Sequence, residues 1–113
     1  MDCLFCKLVA GDIPATVLYE DQNVIAFEDI MPQAPTHFLV IPKKHISTLN
    51  DVTDSDTLIM GSLPIVASQI AKQKGVAEGG YRLVMNCNQD GGQTVYHIHM
   101  HVLAGRTLVW PPG

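Results

Sequence analysis

The chain has 113 residues, 47% of them hydrophobic, with seven Lys and Arg against eleven Asp and Glu for a net charge of −4. That length predicts one domain over residues 1–113 with a small core, for which dimerisation is a natural supplement. The charge leaves no basic stripe for a nucleic-acid polymer, so any bound nucleotide is expected to be a small molecule held by local contacts.

Met1-Asp2-Cys3 opens on an acid, and no cationic start precedes an apolar stretch, so no secretory signal is read. No apolar run approaches the length that spans a bilayer, and no membrane partner is expected. Of three cysteines, two stand as Cys3-x-x-Cys6. In a chain without an export signal this points to metal or redox chemistry before a disulfide framework, and to the cytoplasm.

Val17–Tyr19 and Val24–Phe27 flank the polar Glu20-Asp21-Gln22-Asn23 and predict two strands joined by a turn. After Pro32 and Pro35, the apolar run from His37 to Ile41 predicts a buried strand ending at Pro42. From Ser55 to Lys74 the period changes: Ile59, Leu63, Val66 and Ile70 form one helical stripe. Asp54, Ser55 and Asp56 are capping candidates and Gly75 a stop, while Pro64 inside the pattern removes one backbone hydrogen bond and either bends or splits the helix. Tyr81–Asn86 predicts a strand, Asn88–Thr94 a Gly-rich turn, and Val95–Leu103 a further strand. Trp110-Pro111-Pro112-Gly113 cannot be regular structure. The sum is an α+β domain, an antiparallel sheet of about five strands with one principal helix.

In Val95–Leu103 the odd positions include His97, His99 and His101, and the even ones are Tyr96, Ile98, Met100 and Val102. Successive strand side chains point to opposite faces, so the three imidazoles share one face. Three of the chain's five histidines at strict alternation are poorly explained as a solvated face. Two readings stay open. A zinc site could use His at i and i+2, but the outer pair lies about 13 Å apart at Cα, too far to close easily on one tetrahedral ion. Alternatively, the middle imidazole is a nucleophile and its neighbours orient it and donate hydrogen bonds to the substrate. Gly91-Gly92 could aim backbone N–H groups at an anion. An extended Thr94 would lie roughly 17 Å from His99, so the loop must fold back for both to touch one phosphate.

His97-Ile98-His99-Met100-His101-Val102-Leu103 resembles the histidine triad (HIT) signature, and the likeness extends through Asp29–Lys43, Gly91–Tyr96 and Trp110–Gly113. Nearly the whole chain is similar to the Hint branch of nucleoside phosphoramidases. The resemblance implies a homodimer that hydrolyses a purine nucleoside 5′-monophosphate (AMP or GMP) joined to an amine, with no catalytic cofactor. It implies His99 as nucleophile through a nucleotidyl-histidine, His101 on the phosphate, and His97 and His37 in support. It places Asp29 on the ribose hydroxyls and Phe5, Leu8, Phe27 and Ile30 on the base. Asn86, Gly92, Gln93 and Thr94 would meet the phosphate and leaving group, Thr94 standing where many members carry Ser. Cys3, Cys6, His45 and His97 would complete a Cys₂His₂ set for a closed structural zinc, which some bacterial members hold. The rival functions are a zinc-dependent hydrolase or zinc-binding module, and an interaction protein with a vestigial nucleotide site.

Overall fold

A computed structural model describes residues 3–113; Met1 and Asp2, on which the reading of the chain's start rests, lie outside the described residues. Five strands form one antiparallel sheet: β1 (Val17–Glu20), β2 (Val24–Glu28), β3 (Thr36–Pro42), β4 (Tyr81–Val84) and β5 (Met100–Ala104). Their spatial order is β1-β2-β3-β5-β4. The helices are α1 (Leu4–Ala10), α2 (Thr57–Gln73) and the single turn α3 (Asn88–Gly91). No helix among the described residues is long and apolar enough to cross a membrane.

Helix α2 covers one face of the sheet. Its Leu63, Val66, Ala67 and Ile70 pack on Val24, Ala26, Phe38, Val40, Ile98, Met100 and Val102. Each large apolar side chain buried there stabilises the fold by about 2 kcal/mol. Thr53 and Asp56 form a capping box ahead of α2, and Gly75 follows it at φ +74°. Pro64 leaves α2 continuous from Thr57 to Gln73, so the helix is not split.

The opposite face is covered by α1, a layer the periodicity does not reveal. Phe5 and Leu8 of α1 pack with Ile25, Phe27, Leu39 and Ile41. The helix begins at Cys3, whose Sγ accepts the Cys6 N–H, and ends at Gly11 in the left-handed conformation.

Two expectations are corrected. The strand expected over Val95–Leu103 starts only at Met100, because its partner gives out. Val40 pairs with Met100 as the last β3–β5 pair; beyond it β3 reaches Pro42, which has no N–H to offer the ladder. The Ile98 N–H instead donates to the Ile46 carbonyl. Side-chain alternation survives without the ladder, since Ile98, Met100 and Val102 all enter the α2 core. The Gly-rich turn becomes the helical turn α3, entered by Asn88 at φ +59° and closed by Gly92 at φ +87°.

Candidate active site

A cavity of about 230 Å³ opens between α1, the segment after β2 and the histidine row. Phe5, Leu8, Phe27 and Ile30, the four residues the resemblance assigns to the base, line it together with Leu4, Ile13, Pro14, Ala15, Glu28, Leu39 and Val95. Asp29, Thr94, His99 and His101 complete the lining, so the loop does fold back to bring Thr94 beside the histidines. Ile30 is 92% exposed and forms only the rim. A larger hollow of about 650 Å³ at the β4 edge is lined without any His, Cys or carboxylate.

The backbone fixes the proton on each ring in turn. His99 is 6% exposed, and its Nδ1–H donates to the His97 carbonyl at 2.8 Å, which leaves Nε2 with a free lone pair. The ring meets Phe5 edge-on at 5.2 Å and stands 5.0 Å from the His101 ring. Gln33 N–H donates to His37 Nδ1 at 3.0 Å, so the neutral His37 carries its proton on Nε2 and donates to His101 Nδ1 at 2.9 Å. The His101 proton is thereby held on Nε2, a donor available to substrate oxygen. Asp29 sits at the other end of the same loop. One carboxylate oxygen accepts Met31 N–H at 2.8 Å, the other lies 3.3 Å from His37 Nε2, and its N–H donates to the His37 carbonyl.

Burial pushes His37 below the usual histidine value, with Asp29 opposing the shift. Burial, reinforced by His99 and His37 and opposed by Asp29, pushes His101 from 6.5 down to about 4. Both rings are neutral at physiological pH. This sets a sign for stability: as pH falls below 6.5 the unfolded ring takes up its proton first, so stability is full above 6.5 and declines toward pH 4. The expected loss is about 2 kcal/mol after allowance for partial exposure, read as a fall in the urea midpoint between pH 7 and pH 4.5. Replacing His101 with Asn should flatten that slope, and an unchanged slope would contradict the assignment.

Three of the residues expected at the phosphate do not reach the cavity lining: Asn86, Gly92 and Gln93. The Gly92 and Gln93 N–H groups are spent on the carbonyls of Gln89 and Asn88, closing the α3 turn rather than facing an anion. The Gln93 side chain is buried and engaged at both ends, accepting Asn88 N–H and donating to the Ser47 and Val95 carbonyls. It braces the loop that presents Thr94.

His97 turns away from the cavity. It is fully buried, and its Nε2–H donates to the Pro42 carbonyl at 2.7 Å, leaving Nδ1 free toward Cys3, Cys6 and His45. Ligand atoms of these four residues all lie within 4.8 Å of one another. His97 Nδ1 stands 3.5 Å from Cys3 Sγ, 3.6 Å from Cys6 Sγ and 3.2 Å from His45 Nδ1, and Cys6 Sγ stands 3.3 Å from His45 Nδ1. A tetrahedral ion with ordinary zinc–sulfur and zinc–nitrogen bonds has edges of about 3.3–3.8 Å, the sulfur–sulfur edge the longest, and these four distances fit it. The carbonyl behind His97 is the usual outer partner of a ligating imidazole. Asp29, His37 and His101 also approach one another within 4.8 Å. There, however, the Gln33 N–H keeps the His37 proton on Nε2, the atom that would have to ligate. The row is thus divided, and no group of candidate ligand atoms among the described residues includes all three histidines.

The HIT domain family matches residues 10–108. A purine nucleoside phosphoramidase of Escherichia coli (strain K12) is 51% identical over 107 residues, covering 95% of this chain and 90% of that protein. A HIT family hydrolase from Legionella pneumophila Philadelphia 1 superposes with a TM-score of 0.97 at 58% identity, covering 99% of this chain and all of that one. A histidine triad protein from Clostridium difficile gives 0.93 at 49% identity, covering 96% and 95%. With a divided histidine row beside an apolar cavity, and likeness along almost the whole length, the chain belongs to the HIT domain family.

Proposed function

We propose that the chain hydrolyses purine nucleoside 5′-phosphoramidates and related nucleotidyl conjugates to the nucleoside monophosphate. The observation that carries this is the free Nε2 of His99, aimed by the His97 carbonyl at the wall of an apolar cavity with Asp29 on the same wall. The base lies against Phe5, Leu8, Phe27 and Ile30, and Asp29 accepts the ribose hydroxyls as an ionised, acceptor-only group. His99 Nε2 attacks the α-phosphorus, the phosphorus–nitrogen bond breaks, and the amine leaves with a proton. Water then cleaves the nucleotidyl-histidine and returns the ring to its neutral form. The imidazole gains positive charge while it is nucleotidylated, and the His97 carbonyl on Nδ1–H stabilises that charge. His101, held by His37, donates to the phosphate, with Thr94 beside it. The similarity to a purine nucleoside phosphoramidase supports the reaction class.

In this reading residues 1–113 act as a single domain working in the cytoplasm, where three free cysteines are at home. The exposed Leu58, Ile65, Leu83, Val109 and Trp110 suit a homodimer. Cys3, Cys6, His45 and His97 hold a structural zinc outside the cavity, and no catalytic cofactor takes part. The test is brief incubation with an adenosine phosphoramidate, acid quench and peptide mass analysis. A nucleotidyl mass on His99 is expected; hydrolysis without any adduct, under conditions where breakdown is rate-limiting, would refute the covalent route.

A further inference from the structure

The tetrad and the nucleophile share a residue. We propose that His97 is a positioning residue that ties the orientation of the His99 ring to the Cys3–Cys6–His45–His97 tetrad, so that zinc held there tunes the nucleophile and does more than staple the fold. This rests on the reading of His99 as nucleophile.

Three connections run from the tetrad to His99, each by a different route. The first passes through His97 itself. Its imidazole is clamped between the Pro42 carbonyl and the other three donors, and its own carbonyl accepts the His99 Nδ1–H. The second passes through the neighbours of His45 and His97, since Ile98 N–H donates to the Ile46 carbonyl at 2.8 Å. The third passes through α1, which carries Cys6 and starts at Cys3. Its Phe5 packs edge-on against both His97, at 6.0 Å, and His99, at 5.2 Å.

The placement of the β5 ladder makes these connections decisive. His97 and His99 precede Met100, so no strand pairing fixes their peptide planes. What holds the His97 carbonyl toward His99 is the seating of the His97 ring and the one bond at Ile98. Without an ion the ring nitrogens of His45 and His97 face each other at 3.2 Å beside two thiols, a contact that closes only with a hydrogen between them or with one ring turned. Once the His97 ring is unseated its peptide is free to shift, and a shifted carbonyl costs His99 the acceptor that keeps its proton on Nδ1. A displacement of about 1 Å at a reacting group costs up to roughly 10²-fold in rate.

The experiment compares the purified protein with one equivalent of zinc and after chelation, with folding of both checked by denaturant titration. In the zinc-free folded protein kcat should fall roughly 10- to 100-fold with KM within about twofold, and re-added zinc should restore it. Nitrogen-15 histidine spectra should show a pure Nδ1–H tautomer for His99 with zinc and a mixture without it. Because chelation could unfold the chain, Cys6→Ser is titrated with zinc in parallel; kcat and the His99 signal should rise together with occupancy. The proposal is overturned if the folded zinc-free protein keeps its kcat and His99 signature, if the C6S protein shows neither tracking occupancy, or if the wild-type tetrad takes up no zinc. Should the zinc-loaded protein turn over no phosphoramidate, the activity reading fails, and the His99 spectra alone decide the positional coupling.

Discussion

Replacing His99 with Ala is expected to lower phosphoramidate turnover by roughly 10⁴-fold or more, while the Kd for the nucleoside monophosphate moves by less than about threefold. The asymmetry follows from what the ring touches. In the proposed reaction its unengaged Nε2 meets the phosphorus, whereas base and ribose would fall to α1, Phe27 and Asp29. Removing a nucleophile eliminates the covalent route, and the neighbouring His101 cannot replace it, because its Nδ1 is occupied by His37 and its proton sits on Nε2. Single-turnover kinetics and calorimetric binding measure the two quantities separately. Turnover retained within tenfold would end the assignment of His99, and a collapse of binding would mean that the ring belongs to the ground-state contacts.

The second large effect is expected at Asp29. Asp29→Asn should lower kcat/KM for an adenosine phosphoramidate by roughly 10²-fold, corresponding to about 3 kcal/mol for two hydrogen bonds to a carboxylate. Asn keeps a carbonyl oxygen for the Met31 N–H, so the loop retains its shape. Its amide nitrogen then faces His37, where a carboxylate oxygen stood 3.3 Å away, so part of the loss could arise there and not at the ribose. A 2′,3′-dideoxy substrate separates the two contributions. The wild type should discriminate against it strongly, and the variant barely at all. Equal discrimination by both proteins would remove Asp29 from the ribose site.

Much of this was legible because side-chain parity outlasts secondary structure. His97, His99 and His101 keep to the side away from α2 even though only His101 lies in a paired strand. Where that strand begins was not legible, since it depends on Pro42 of a strand distant in sequence. Helix α1 escaped because seven residues with two buried apolar positions, Phe5 and Leu8, give no period to read. For the same reason Ile13, Pro14, Ala15 and Leu39 carry no signal: each becomes a cavity wall only when α1 and β3 come together. The division of the histidine row was half legible. Cys3-x-x-Cys6 pointed to a second cluster, but only the Pro42 carbonyl shows which nitrogen of His97 faces it. Gln93 marks the limit of argument by resemblance, as its amide is fully engaged in bracing the loop.

The cavity lining contains Glu28 and Asp29 and no Lys or Arg. A phosphoramidate brings one negative charge to its phosphorus, whereas the monophosphate set free carries close to two at neutral pH. Neutral imidazoles satisfy the first by hydrogen bonding, yet offer no fixed cation to retain the second, and the flanking carboxylates repel it. The charge arrangement therefore favours the singly charged reactant over the more highly charged product. In the proposed reaction such a site would hold its product more weakly than its substrate and so limit inhibition by accumulated nucleotide.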